Sequence, residues 1–178
     1  MKPPAFIIHN PSCYERTEIV KDLIKKTGGM MVSAIMLPDG LDGNRQSHTA
    51  VCRLARSLHP TKHFLVFEDD CVLSEDWEKC IEGMECIDVL YLGYNDKCKD
   101  VTFGTHALLI SPQARDFIIS ESDKYAKIVD RKNAMDHVLS KMCRQLGLLT
   151  AMPPMDERER WAMQKKGIKS LITHQIRQ

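Results

Sequence analysis

The sequence lacks an excess of charge of either sign, since 25 Lys and Arg residues stand against 24 Asp and Glu residues in a chain of 178. Proteins that bind nucleic acid or an anionic membrane through their overall charge carry a surplus of basic residues. The balance therefore argues against both classes of partner, and we expect no nucleic-acid partner.

Paired cysteines are also missing. The seven cysteines are an odd number, and none belongs to a Cys-x-x-Cys pair. Zinc sites and disulfide frameworks depend on such spacing, so neither is predicted. We expect a reduced, cytoplasmic location, in which Cys52 and Cys143, both on predicted helices, are small core residues rather than nucleophiles.

Long apolar runs are absent as well. Near the N-terminus the apolar run covers only residues 5–8, too short for the core of a signal peptide or for a membrane span. We therefore expect no transmembrane segment. Because 43% of the residues are hydrophobic and the length is typical of one domain, the chain should bury a single core.

What the sequence does contain is a regular alternation of strand and helix patterns. Predicted strands lie at 5–8, 31–37, 64–67, 89–92, 105–110 and 148–152, and predicted helices at 15–26, 47–58, 76–84, 112–119 and 134–146. Such alternation predicts an α/β fold with a mostly parallel sheet flanked by helices. After Pro153-Pro154 the composition shifts, with six basic against three acidic residues in 156–178. We divide the chain into a domain at 1–155 and a basic tail at 156–178.

The most informative stretch is the acidic triplet Glu68-Asp69-Asp70, which directly follows the predicted strand 64–67. Neighbouring carboxylates repel each other unless a cation neutralises them, and Mg²⁺ and Mn²⁺ prefer carboxylate oxygens. In open α/β sheets, ligands bind at the carboxyl ends of the strands. The triplet therefore predicts a divalent metal site that holds a phosphorylated substrate. The alternative is a solvated acidic turn that leads into a helix near Ser74.

Six short segments follow one another in an order and spacing typical of one known family. They are Phe6-Ile7-Ile8 with Arg16, Ser47-His48, Phe67-Glu68-Asp69-Asp70 with Val72-Leu73-Ser74, Leu90-Tyr91-Leu92-Gly93, Ala107-Leu108-Leu109-Ile110-Ser111-Pro112 with Ala114, and Met135-Asp136-His137-Val138-Leu139. Together they resemble glycosyltransferase family 25, which includes lipopolysaccharide-modifying galactosyl- and glucosyltransferases and the collagen galactosyltransferase domain. The first loop at 9–13 and the segment at 44–46 depart from the family's usual residues, and the chain is short for such a domain.

The resemblance implies a single-domain GT-A-like fold and a metal-dependent glycosyltransferase. Such an enzyme transfers galactose or glucose, with inversion, from a nucleoside-diphosphate sugar such as a UDP-hexose to a glycan or protein-linked acceptor. It implies Mn²⁺ or Mg²⁺ as the cofactor. Two alternatives stay open: a catalytically inactive glycosyltransferase-like binding module, and a metal-dependent nuclease or phosphotransferase.

Site residues follow from the resemblance. Asp70 and Glu68 are the predicted metal ligands, and Asp136 is the predicted base that takes the proton of the acceptor hydroxyl. The predicted donor-binding residues are Glu68, Asp69, His48, Arg16 and Asn10. Since side chains alternate along a strand, Glu68 and Asp70 are expected on one face and Asp69 on the other.

Each assignment has a plain alternative. Asp136 could be a solvated helical residue, His48 a hydrogen-bonded helix histidine, and Arg16 a surface arginine paired with Glu15 or Glu18. For the tail, one hypothesis is that Lys165, Lys166 or Lys169 folds over the diphosphate and excludes water. The alternative is a solvated terminus.

Overall fold

A computed structural model describes residues 2–37, 39–94, 96–98, 101–127 and 135–165. The helices are α1 (Thr17–Thr27), α2 (Gly40–Leu58), α3 (Pro112–Ala126) and α4 (Met135–Leu146). The strands are β1 (Ala5–His9), β2 (Met30–Ser33), β3 (Phe64–Glu68), β4 (Cys71–Leu73), β5 (Val89–Tyr91), β6 (Asp96–Cys98), β7 (Val101–Phe103), β8 (Ala107–Ile110), β9 (Thr150–Ala151) and β10 (Ala162–Gln164). Short 3-10 helices occupy Tyr14–Arg16, Trp77–Ile81 and Met155–Glu157.

The central sheet has six strands in the order β2-β1-β3-β8-β5-β9. β1 pairs in parallel with β2 and β3, and β5 pairs in parallel with β9, whereas β8 is antiparallel to both of its neighbours. The predicted mostly parallel α/β sheet is confirmed. β8 runs the other way because no helix separates it from β5, and a parallel return requires a long crossover.

Both faces of the sheet are covered. Successive strand residues point to opposite faces, so β1 and β3 contribute to two cores. Phe6 and Phe64 pack with residues of α2, α3 and α4, whereas Ile7 and Phe67 pack with α1 and Trp77. Burying each large apolar side chain contributes roughly 1.5–3 kcal/mol to stability, so the two cores fix the sheet between its helical layers.

Two predicted elements differ from the structure for local reasons. α2 begins at Gly40 rather than at 47, because the Asp39 side chain accepts hydrogen bonds from the backbone N–H groups of Leu41 and Asp42 at 3.0 and 3.4 Å. The predicted helix at 76–84 is only the 3-10 helix Trp77–Ile81, since no side chain caps its start and the chain turns at Gly83, where φ is 72°.

A second, two-stranded sheet lies at the edge where the acidic triplet emerges. β4 follows the triplet and pairs antiparallel with β10, and the backbone N–H of Lys165 donates to the carbonyl oxygen of Asp70 at 2.9 Å. Gly93 allows this approach, because a Cβ there would lie 1.9 Å from the carbonyl oxygen of Ala162. Residues 158–165 of the predicted tail therefore pack onto the domain, whereas Lys166 and Lys169 lie outside the described residues.

None of the described helices combines the length and the apolar character that crossing a bilayer requires.

Candidate functional site

A cavity of about 120 Å³ opens at the carboxyl ends of β1, β2 and β3. Its polar end is formed by the acidic triplet, Asn10, Arg16 and Gln164, and one wall is the apolar segment 34–37 after β2. This is the sheet edge at which open α/β proteins bind ligands. The structure thus brings Asn10, Arg16 and the three carboxylates together at one cavity, and their roles in binding a donor or a metal stay predictions.

Glu68, the last residue of β3, has one oxygen fully used by the protein itself. Its Oε1 accepts hydrogen bonds from Asn44 Nδ2 at 3.1 Å and Thr105 Oγ1 at 3.0 Å, and it lies 3.0 Å from His48 Nε2. Burial alone would raise the pKa of Glu68, but the hydrogen bonds from His48 and Asn44 outweigh it and lower the pKa to about 2. Glu68 is therefore held as a carboxylate, and its side chain still lines the cavity.

His48 lies behind Glu68 rather than in the cavity. The residue is 1% exposed, and its Nε2 bonds to Glu68, whereas its Nδ1 has no hydrogen-bond partner in residues 2–37, 39–94, 96–98, 101–127 and 135–165. It is not among the residues that line the cavity. The structure therefore matches the plain alternative, a hydrogen-bonded helix histidine, and connects His48 to the site only through Glu68.

Asp69 is bonded to the start of the first loop and pairs with Arg16, which follows that loop. Its Oδ1 accepts a hydrogen bond from Arg16 Nη1, and its Oδ2 accepts the backbone N–H of Asn10 at 2.8 Å and lies 3.1 Å from His9 Nδ1. Asp69 and Arg16 are 4% and 7% exposed. The alternative of a surface Arg16 paired with Glu15 or Glu18 is therefore wrong, because its guanidinium is buried against the triplet.

Asp70 has one oxygen bonded to the protein and one buried oxygen that the described residues leave unbonded. Its Oδ2 accepts a hydrogen bond from Gln164 Nε2 at 2.9 Å and lies 3.5 Å from Arg16 Nη2. Its Oδ1 is buried and has no hydrogen-bond partner within the described part of the chain. Burial and the charge of Glu68 raise the pKa of Asp70 to about 6, although Arg16 and Gln164 act in the opposite direction.

The predicted alternation of faces within the triplet is wrong. β3 ends at Glu68, so Asp69 and Asp70 occupy the turn that precedes β4 and do not follow strand geometry. All three side chains line the same cavity. The difference among them comes from their partners rather than from the face of a strand.

Asn10 lines the cavity, and its side chain bonds to other residues of the first loop. Its Oδ1 accepts the backbone N–H of Ser12 at 3.0 Å, and its Nδ2 donates to Cys13 Sγ at 3.2 Å. The side chain is therefore occupied within the loop, and its backbone N–H is bound to Asp69. Asn10 shapes the cavity next to the triplet.

Asp136 lies in the first turn of α4 and holds the loop before β8. Its Oδ1 accepts the backbone N–H groups of Gly104 and Thr105 at 2.9 and 3.1 Å. Burial raises the pKa of Asp136 above its usual value. Asp136 is not among the residues that line the cavity, and it is joined to Glu68 through Thr105. It is therefore bonded rather than solvated.

Three residues of the site were not predicted from the sequence: Asn44, Thr105 and Gln164. Asn44 precedes His48 by four residues, and this spacing on a helix places both side chains on one face, so the pattern was available. Gln164 had no local signal in the sequence. It reaches Asp70, 94 residues away, only because its strand β10 pairs with β4.

The predicted metal ligands amount to two carboxylates. Within the described ranges, no group of three or more His, Cys, Asp or Glu side chains is arranged to hold a metal ion. A protein-only metal cage is thus absent from the part of the chain that the structure describes.

Comparison with known proteins gives the fold. No protein-family model matches the sequence, and no curated protein does. The apo form of the glycosyltransferase GlyE of Streptococcus pneumoniae TIGR4 matches with a TM-score of 0.55 and 11% identity, covering 86% of this chain and 45% of that one. A second GlyE structure matches with a TM-score of 0.53 and 12% identity, covering 90% and 47%.

A third structure, a glycosyltransferase involved in the glycosylation of the major capsid of PBCV-1, covers 66% of this chain and 64% of its own at 11% identity, with a TM-score of 0.49. The chain spans about half the length of GlyE. The likeness to GlyE confirms the predicted GT-A-like α/β fold. Membership of glycosyltransferase family 25 stays a prediction.

Proposed function

We propose that the protein is a glycosyltransferase that takes a hexose from a nucleoside-diphosphate sugar. The fold and the position of the cavity at the carboxyl edge of the sheet support this function. The observation that carries the proposal is Asp70 Oδ1, a buried carboxylate oxygen at the cavity that has no hydrogen-bond partner among the residues that the structure describes. A buried polar atom of this kind is costly unless a ligand satisfies it.

The charge at the polar end of the cavity favours a cation. Three carboxylates face one guanidinium there, so an anionic diphosphate alone would be repelled. The residues fit Mg²⁺ or Mn²⁺, because these ions prefer carboxylate oxygens and are often held by one or two carboxylates together with substrate phosphates. Asp70, with Glu68, would hold the ion. When bound, the ion would stabilise the charge that develops on the departing diphosphate.

The other residues of the site organise it. Asp69 and Arg16 fix the first loop beside the cavity, and the hydrogen bonds from His48 and Asn44 keep Glu68 ionised. Asp136 is our proposed base for the acceptor hydroxyl because the resemblance to glycosyltransferase family 25 implies it; the residue is buried, bonds to the backbone N–H groups of Gly104 and Thr105, and does not line the cavity.

The finer parts of the proposal come from the resemblance to glycosyltransferase family 25. They are a UDP-linked galactose or glucose as donor, a glycan or protein-linked acceptor, and inversion at the sugar carbon. The proposed cytoplasmic location rests instead on the cysteine pattern of the sequence.

The test measures release of UDP from UDP-galactose and UDP-glucose with Mn²⁺ and with EDTA. We expect Mn²⁺-dependent turnover in the wild type and a loss on the order of 100-fold or more in Asp70→Asn, because electrostatic stabilisation of the leaving group is lost. The matched control is Glu18→Gln, which removes an exposed carboxylate paired with Lys21.

Absence of metal-dependent turnover in the wild type, or full activity in Asp70→Asn, would contradict the enzyme hypothesis. Binding of UDP without turnover would favour the alternative of an inactive glycosyltransferase-like binding module. The hydrogen bond from Gln164 to Asp70 supports that alternative, because it occupies one oxygen of the proposed metal ligand.

A further inference from the structure

The apolar wall of the cavity is an irregular segment, residues 34–37, that follows β2. The backbone N–H of Ala34 donates to the carbonyl oxygen of His9 at 2.8 Å, which is the last contact of the segment with β1 in the parallel ladder. The next residue, Ile35, is bonded to α2. Two residues of α2, Ser47 and Gly43, make the attachment.

Ser47 ties the wall to the helix with one hydroxyl group. Its Oγ accepts the backbone N–H of Ile35 at 2.8 Å and donates to the carbonyl oxygen of Gly43 at 2.7 Å. Ser47 is 3% exposed and lines the cavity. Because both hydrogen-bonding roles of the hydroxyl are used inside the protein, its removal would leave the Ile35 N–H without its partner.

Gly43 allows the wall to approach the helix closely. A Cβ at this position would lie 2.6 Å from the carbonyl oxygen of Ile35 and 3.4 Å from the backbone nitrogen of Leu37. A glycine inside a helix costs roughly 1 kcal/mol relative to alanine, so its presence in α2 calls for a packing reason. The close approach of Ile35 is that reason.

We propose that Gly43 and Ser47 are positioning residues that fix the wall against which the nucleoside part of the donor packs. This inference rests on the proposed function. The cavity has carboxylates at one end and the apolar side chains of Ile8, Ile35 and Leu37 along its wall. The ligand that matches both ends carries a cation-bound diphosphate and a ring with apolar faces, which is the chemistry of a nucleoside diphosphate.

The test compares the binding of UDP with that of inorganic pyrophosphate, each with Mn²⁺, by titration calorimetry. In Ser47→Ala and Gly43→Ala we expect UDP to bind about tenfold more weakly, because the wall is displaced, and pyrophosphate to bind as in the wild type. Ser47→Thr keeps the hydroxyl and should restore UDP binding. Ser57→Ala, on the exposed side of α2, is the matched control.

Two further measurements separate positioning from loss of structure. The KM for the donor should rise more than kcat falls in Ser47→Ala. Met36→Ser changes a side chain of the wall that is 49% exposed, so it should weaken UDP binding without affecting pyrophosphate binding. This variant tests the wall independently if Ser47→Ala or Gly43→Ala does not fold.

The inference is overturned if UDP and pyrophosphate lose affinity equally in these variants, if UDP binding is unchanged, or if Ser47→Thr behaves like Ser47→Ala. A wild type that binds neither ligand with Mn²⁺ would contradict the proposed function as well. A wild type that binds both, with unaffected variants, would contradict the inference alone.

Discussion

Replacing Asp70 with Asn should make the metal-free protein more stable at neutral pH, although the same change is expected to lower transfer by about 100-fold or more. Burial and the charge of Glu68 raise the pKa of Asp70 from 3.8 to about 6. A raised pKa means that the folded state favours the protonated carboxyl. The stability that this group contributes is therefore fully present below about pH 3.8 and is lost as the pH rises through about 6.

The size of the expected stability gain follows from the two pKa values of Asp70, 3.8 and about 6. Each pH unit between them corresponds to about 1.4 kcal/mol, so ionised Asp70 carries a penalty of up to about 3 kcal/mol at pH 7.5. Asparagine resembles the protonated carboxyl in shape and carries no charge. Because neighbouring groups and water relax around a real charge, we expect a gain of about 1–3 kcal/mol in the free energy of unfolding. That gain would raise the melting temperature by about 2–4 °C per kcal/mol.

The assay is urea unfolding of wild type and Asp70→Asn in EDTA between pH 7.5 and 4.5. The variant should be more stable at pH 7.5, and the difference should shrink as the pH falls. Asp69→Asn is the matched control, since the same substitution one residue earlier breaks a buried pair with Arg16 and should cost about 3 kcal/mol. An Asp70→Asn protein less stable than wild type at pH 7.5, or a gain that does not depend on pH, would refute the reasoning.

Three other predictions concern the surroundings of Asp70. Glu68→Gln should lower the free energy of unfolding by about 2–3 kcal/mol at neutral pH, because the lowered pKa of about 2 means that ionised Glu68 stabilises the folded state fully above pH 4.5 and loses that effect as the pH falls toward 2. If the difference in urea midpoint between wild type and variant does not narrow in acid, this reasoning is contradicted. Asp136→Asn should lower kcat by about 100-fold or more and leave UDP binding intact, whereas parallel loss of binding would argue for a structural role only. Gly93→Ala should displace β10 from the domain, cost about 1–3 kcal/mol and speed tryptic cleavage near Arg158; an unchanged digestion pattern would count against the packing of Ala162 on Gly93.

Most of the fold could be predicted from the sequence, because strand and helix patterns depend on neighbours along the chain. The strand 64–67 and the helix 134–146 agree with β3 and α4 to within a residue. The errors have local causes: the cap at Asp39 lies outside the apolar pattern of α2, and the weak start at 76–84 supports only one 3-10 turn. β10 was missed because three residues in a charged segment form a strand only when β4 is beside them.

The candidate site divides in the same way. By itself the sequence determined that three carboxylates stand at the end of a buried strand, since that depends only on residues 64–70. Only the tertiary structure decided which groups bond to each carboxylate. Asp69 is paired with Arg16, 53 residues away, and Glu68 is held by Thr105, 37 residues away. Asp70 bonds to Gln164, 94 residues away, and keeps one oxygen that no described residue satisfies. A carboxylate's role depends on the donors that surround it, and those donors come together only when the chain has folded.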